Sequence, residues 1–173
     1  VIHQNKKNFS KARKIYEELL KTNPQNLVIL QNYAILLSQT KEFKKSEDIF
    51  KQCLKIKPKD PLLLYNYGKF FHDQKIFDKA VRFYKESFNF DNKNYLAVYN
   101  IGNIFLSESK FDQAIEFFKK AIEINPSNSR AYNNMGIAQK RIGNFNKALE
   151  FYKEAIKSGL INFLKIQHQN TIL

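Results

Sequence analysis

The chain has 173 residues, of which 43% are hydrophobic and 26% are charged, as expected for a globular domain or a short repeat array. It carries 29 Lys and Arg against 16 Asp and Glu, a formal net charge of +13. Uninterrupted apolar stretches stay well below the roughly 18 residues of a membrane span. The single cysteine, Cys53, excludes an internal disulfide and a cysteine-based metal cluster.

The positive charge does not by itself indicate a nucleic-acid ligand. Four of the cations are arginines and the rest are lysines, which are scattered along the chain without a block of like charges. Scattered lysines are typical of a solvated outer face, so nucleic acid is not the expected partner.

Five series of residues recur every 34 positions, which predicts an internal repeat. The series are Phe9, Phe43, Phe77, Phe111 and Phe145; Ala12, Ser46, Ala80, Ala114 and Ala148; Tyr16, Phe50, Tyr84, Phe118 and Tyr152; Ala34, Gly68, Gly102 and Gly136; and Pro24, Pro58 and Pro126, with Asn92 at the vacant point.

Each 34-residue unit has the pattern of two helices joined by a short turn. In FDQAIEFFKKAIEI, apolar residues recur from Phe111 to Ile122 at three- and four-residue steps, the period of one helix face. NPSN after Ile124 ends this helix, because proline lacks the amide hydrogen. Upstream, NYLAVYNIGNIFLSES predicts a second amphipathic helix. We expect Gly102 and Ala114 where the two helices cross, with Phe111 and Phe118 beside them.

The segments follow one another in a simple order. Residues 1–26 predict a partial unit, consisting of a second helix and the end of a first helix. Four complete helix pairs follow. They occupy residues 27–60, 61–94, 95–128 and 129–162. Residues 163–173 predict a further helix after Gly159, either a cap or the start of another unit.

These units resemble the tetratricopeptide repeat. Residues 95–128 carry the family pattern in Val98, Ile101, Gly102, Phe105, Ala114, Phe118, Ala121 and Pro126. In the last full unit, Gln139 replaces the usual aromatic residue and Leu160 replaces the proline. The resemblance implies an all-α, right-handed superhelical solenoid of antiparallel helix pairs.

The resemblance also implies that first helices line a concave groove that binds peptides. Residues of these helices that point away from their partner helix are the candidates for binding. The predicted peptide-binding residues are Asn32, Tyr65, Asn66, Lys69, Tyr99, Asn100, Asn103, Arg130, Asn133 and Asn134. Val28, Leu62 and Leu96 share this predicted face.

Four asparagines of the groove form a ladder at one phase of the repeat: Asn32, Asn66, Asn100 and Asn134. The ladder is similar to the one lining the repeat arm of O-linked N-acetylglucosamine transferases, and amides at that spacing could hold an extended peptide backbone. Asparagine is also frequent at this phase across the family, so a structural role for the ladder stays open.

Another binding mode of the family is not expected here. Chaperone-cochaperone members grip a C-terminal carboxylate with a five-residue clamp, whose counterparts in this chain are Tyr65, Lys69, Asn100, Arg130 and Asn134. Asn100 and Arg130 alone have the expected residue type. We therefore do not expect a chaperone tail as the partner.

The sequence predicts no enzyme, cofactor or metal site. His3, His72 and His168 lie far apart and lack metal-ligand spacing. The chain has no P-loop, glycine-rich nucleotide fingerprint or nucleophile elbow. Cys53 falls at a small packing position of the repeat.

We therefore predict a non-catalytic scaffold that binds a protein or peptide in its concave groove. One alternative is the substrate-recruiting arm of a larger enzyme, such as a glycosyltransferase or sulfotransferase. A less favoured alternative is an RNA-binding helical repeat, because such arrays usually run at 35 residues. The start of the chain lacks both Met and a signal peptide, which predicts a fragment. The sequence does not specify the compartment, although the cytoplasm is favoured. It does not specify the oligomeric state.

Overall fold

The computed structural model describes the backbone of residues 2–171 and the side chains of residues 8–161. Within these ranges it contains nine α-helices and no strand. The helices are α1 (Ile2–Thr22), α2 (Leu27–Gln39), α3 (Phe43–Ile56), α4 (Pro61–Asp73), α5 (Phe77–Phe90), α6 (Tyr95–Ser107), α7 (Phe111–Ile124), α8 (Ser129–Arg141) and α9 (Phe145–Thr171). Each helix packs against the next one in the chain. The predicted all-α helical-repeat solenoid is therefore confirmed. Among the described residues, no helix combines the length and the apolar character that a membrane span requires.

Each of the first helices α2, α4, α6 and α8 begins at a polar N-cap residue. The side-chain oxygen of Asn26 accepts hydrogen bonds from the backbone N–H groups of Val28 and Ile29. The caps that follow at 34-residue steps are Asp60, Asn94 and Asn128. A cap of this kind stabilises a helix by about 1 kcal/mol, because it satisfies an amide that has no partner inside the helix.

The first helices also end in the same way. The residues after them have a positive φ: Lys41 (65°), Lys75 (61°), Ser109 (59°) and Gly143 (86°). The next residue then closes the turn; for example, the N–H of Glu42 donates to the carbonyl of Leu37 over 2.8 Å. This is the Schellman arrangement, in which a left-handed residue lets the chain reverse and start the second helix.

The glycine series makes room for aromatic rings. A Cβ atom on Gly102 would lie 2.7 Å from the ring of Phe118. The helices therefore cross with a ring seated on the glycine of α6. The sequence predicts Phe118 beside this contact, whereas its ring forms the contact itself. Ala114, which we expect at this crossing, is fully buried in a cluster with Phe118.

Cys53 is a packing residue of α3. It is fully buried in the main apolar core, and burial raises the pKa of its thiol to about 11. The thiol therefore stays protonated and unreactive at neutral pH. Ser46, on the same helix, is equally buried, and its hydroxyl donates to the carbonyl of Ala34 over 2.7 Å.

The two ends of the chain differ from the predicted pattern. Helix α1 runs without a break from Ile2 to Thr22, so the predicted end of a preceding first helix is wrong. Helix α9 likewise continues from Phe145 through Gly159 to Thr171 and forms no separate helix after that glycine. At this phase three other units have proline and one has Asn92, whereas α9 has Leu160, which keeps the amide hydrogen that a helix needs and has a higher helix propensity than asparagine. Residues 172 and 173 of the predicted terminal helix lie outside the described residues.

Candidate binding groove

The first helices lie on the inner side of the stack. Helix α2 contacts α4 and α6 contacts α8, and a side-chain hydrogen bond joins α6 to α4, whereas successive second helices make no comparable contact in the described part of the chain. In a curved array the inner elements lie closer together, so α2, α4, α6 and α8 line the concave face. We propose that the helix pairs form four complete repeats, at residues 27–60, 61–94, 95–128 and 129–162.

The concave face is almost neutral except at one end. Helices α2 and α6 contain no charged residue. On α4, Lys69 forms an ion pair with Asp73 at 2.7 Å. Helix α8 instead carries Arg130, Lys140 and Arg141 without an acidic residue. The groove therefore changes from apolar and neutral at α2 to basic at α8.

Three asparagines of the predicted ladder link neighbouring first helices. The side-chain amide of Asn66 donates to Oε1 of Gln31 over 3.4 Å, and that of Asn100 donates to the hydroxyl of Tyr65 over 3.2 Å. Each bond joins one repeat to the preceding one, so the NH₂ groups hold the stack together. The predicted candidates Tyr65, Asn66 and Asn100 are each half-buried by this arrangement.

The third link between neighbouring first helices consists of two hydrogen bonds. The amide of Asn134 donates to the hydroxyl of Tyr99 over 3.2 Å and to Oδ1 of Asn103 over 2.7 Å. Asn133 lies beside it and is exposed. Asn32 is exposed on α2 and makes no hydrogen bond with the described residues. The ladder thus has a structural role at three of its four positions.

A neutral polar cluster lies beneath the middle of the groove. The ring of Tyr65 lies 5.6 Å from that of Tyr84, whose hydroxyl is 3.2 Å from Nδ1 of His72. Burial raises the pKa of Tyr65 and lowers the pKa of His72. His72 is therefore a half-buried, uncharged partner of a tyrosine.

Two shallow depressions of about 420 and 360 Å³ flank Arg130 at the basic end. The larger one is lined by Tyr99, Ser129, Arg130, Asn133, Asn134, Tyr152, Ala155 and Ile156. Four of the predicted binding residues therefore meet at one place. Arg130 is exposed and forms no ion pair with the described residues.

An exposed apolar row runs along the same face. Val28, Leu62 and Leu96 occupy the phase of Arg130 in the three preceding units, and they are 67%, 61% and 41% exposed. A regular row of large exposed aliphatic side chains is unusual on a free surface and is typical of a binding surface.

Comparison with models of known protein families identifies the family of the chain. Models described as tetratricopeptide repeat match residues 6–65, 64–94, 95–128 and 117–150. The chain belongs to the tetratricopeptide repeat family. No curated protein sequence matches it.

Solved structures share the fold of this tetratricopeptide repeat protein at low sequence identity. MamA is 21% identical with a TM-score of 0.79, covering 92% of this chain and 93% of its own. PilF of Pseudomonas aeruginosa is 19% identical with a TM-score of 0.79, covering 90% and 71%. YrrB, a TPR protein with an unusual peptide-binding site, is 18% identical with a TM-score of 0.69, covering 98% and 87%. Identities at this level establish the common fold alone.

The sequence analysis did not predict two sets of hydrogen-bonded residues in this tetratricopeptide repeat protein. One is the Asn/Asp cap series, which was visible as a 34-residue phase before each first helix. The other is the link between the ladder and the tyrosines, a spacing of 35 residues that carries no simple signal. Among the described residues, no group of three or more His, Cys, Asp or Glu is placed to hold a metal ion.

Proposed function

We propose that this tetratricopeptide repeat protein is a non-catalytic scaffold whose concave face binds a segment of another protein. The observation that carries the proposal is the exposed row of Val28, Leu62 and Leu96 on the part of the face that is nearly neutral, from α2 to α6. Burial of such side chains by a partner contributes about 25 cal/mol of binding free energy for each Å² of apolar surface removed from water. The fold shared with YrrB supports a peptide as the ligand.

The asparagines beside this row are suited to a peptide backbone. Because their NH₂ groups bond to the preceding repeat, the orientations of Asn66 and Asn100 are fixed before a ligand arrives. Their Oδ1 atoms accept no hydrogen bond from the described residues. A fixed acceptor loses little entropy on binding an N–H group, so these oxygens would add affinity at low cost.

The test uses a phage-displayed library of random linear peptides selected on the wild-type chain. We expect an enriched peptide whose affinity falls by about tenfold or more in Leu62→Glu and in Leu96→Glu. Ile56→Glu is the matched control. Ile56 is 40% exposed at the end of α3, against 41% for Leu96, and this substitution should leave the affinity nearly unchanged.

Results of two kinds, from the peptide selection or from RNA binding, would contradict the proposal. One is a library that yields no peptide above background, or a peptide that loses affinity equally in Ile56→Glu. The other is tight binding of single-stranded RNA that weakens steeply between low and physiological salt, which would assign the basic end of the groove to phosphates.

A further inference from the structure

The last repeat exposes an apolar stripe that has no counterpart on the inner repeats. Phe145, Leu149, Ile156 and Leu160 lie on one side of α9 and are 66%, 55%, 66% and 58% exposed. Together with the depression between α8 and α9 beside Ile156, they form a surface that we call the end face.

The same surface already holds a helix in the preceding repeat. The α6–α7 pair receives α8 there: Ala121 of α7 is fully buried in a cluster with Val98 and Ala131. Ile122, the counterpart of Ile156, packs against both this cluster and the one that contains Met135 of α8. Since α8–α9 repeats the α6–α7 pair at the same registers, the end face has the shape of a helix-docking site.

The chain does not cover the end face with its own described residues. Helix α9 is continuous to Thr171, and a continuous helix carries its later residues away along its axis. No described segment therefore turns back over Leu149 or Ile156. The described residues thus leave the end face open.

Charge indicates what the occupant carries. The inner site on α7 contains Asp112, Glu116 and Glu123 against two lysines, and it receives the cationic helix α8. The α8–α9 pair that carries the end face has the opposite sign: residues 129–161 contain six Lys and Arg against two Glu, whereas residues 95–127 of the α6–α7 pair contain three Lys against four Asp and Glu. Arg130 lies in its depression, and Lys153 flanks the stripe on α9.

We propose that the end face binds an acidic amphipathic helix of a partner protein. Its apolar side covers Leu149 and Ile156, and a small residue stands over Ala155, as Ala131 packs with Ala121. Carboxylates on its rim meet Arg130 and Lys153. An amide side chain can bond to Asn133 as Asn134 bonds to Tyr99. The end face shares Arg130 and Asn133 with the basic end of the concave groove, whereas its apolar stripe lies on α9.

The test uses two stapled synthetic helices that copy the docking face of α8 (Ala131, Asn134 and Met135). One has glutamate and the other lysine at the outward positions. Fluorescence anisotropy should show the glutamate helix binding tighter by about tenfold or more. Ile156→Asp and Leu149→Asp should each weaken it to a similar extent. Both side chains are more than half exposed, so the variants are expected to fold, which circular dichroism checks.

Val28→Asp is the matched control, because Val28 is 67% exposed against 66% for Ile156 but lies in the concave groove. Loss of binding in Val28→Asp with none in Ile156→Asp would place the helix in the groove and overturn the end-face proposal, without affecting the proposed groove function. Equal affinity of the two helices would overturn it as well. So would sedimentation showing a dimer that Ile156→Asp dissociates, because a second copy would then be the occupant.

Discussion

The third and fourth complete repeats share their sequence pattern but differ in burial. Phe118 and Ala121 of α7 are fully buried, whereas their counterparts Tyr152 and Ala155 of α9 are only half-buried. The difference arises because α8 follows α7 and packs against it, whereas no described helix follows α9 to cover the corresponding side. Burial in this fold is thus determined by the following helix as much as by the residue, as expected for an array in which each repeat contacts its neighbours.

The largest difference should follow from filling the glycine position in the two repeats. In Gly102→Leu the added side chain meets the immobile ring of Phe118, and we expect a loss of about 3 kcal/mol in the free energy of unfolding. Gly136→Leu meets Tyr152, a ring that can move toward the open end face, and should cost about 1 kcal/mol. Urea denaturation followed by circular dichroism measures both. Equal losses would mean that the open face gives the ring no freedom.

A smaller difference is expected from trimming the aliphatic residues next to these rings. Ile122→Ala removes a side chain that packs against α8, and it should lower the free energy of unfolding by about 2 kcal/mol. Ile156→Ala removes a side chain that is already 66% exposed, and it should change stability by about 0.5 kcal/mol or less. Melting temperatures of the two variants provide the comparison, and a loss in Ile156→Ala as large as that in Ile122→Ala would show that the end face is already covered.

The asparagine that joins the two repeats offers a third comparison. Asn134→Ala removes the hydrogen bonds to Tyr99 and Asn103 and should cost about 1 kcal/mol. Asn32→Ala, at the same phase but exposed, should leave the melting temperature nearly unchanged and serves as the control. If neither substitution changes the melting temperature, the ladder does not stabilise the junction. The recurrence of asparagine every 34 residues would then indicate ligand binding alone.

Effects of about 1 kcal/mol or less should come from the turns within the repeats. Gly143→Ala places a Cβ atom on a residue with φ of 86° and should cost about 1 kcal/mol, although no atom lies near enough to clash. Ser109→Gly relieves the same backbone strain in the third repeat and should raise stability by about 0.5 kcal/mol. Thermal unfolding measures both, and a stabilised Gly143→Ala would contradict the steric account of the turn.

Much of the fold could be predicted because its determinants are local in sequence. Phe111, Ala114 and Phe118 recur in phase with a helical period, and Pro126 marks the end of the unit. The continuity of α9 was missed because Leu160 permits a helix without requiring one. The left-handed turn residues were missed because Gly143 alone has the residue type that signals them.

The candidate site was less predictable, since it depends on how repeats are placed against each other. Asn100 meets Tyr65 across a junction whose geometry no periodicity specifies. The sequence therefore left two roles open for the asparagine, and the structure adds that its NH₂ group is engaged within the stack. The contrast between Ile122 and Ile156 was also inaccessible, because both residues occupy the same phase and differ only in what lies above them.

The burial of Cys53 has a practical consequence for measuring how this superhelix opens or closes. With its thiol enclosed and protonated, the folded chain behaves toward maleimide dyes as if it contained no cysteine. Fluorophores can therefore be attached through cysteines introduced at Lys41 and Ser109, exposed positions two repeats apart with nearly the same backbone conformation. The native thiol can be left in place, so energy transfer between the dyes would report the curvature of an otherwise unaltered core.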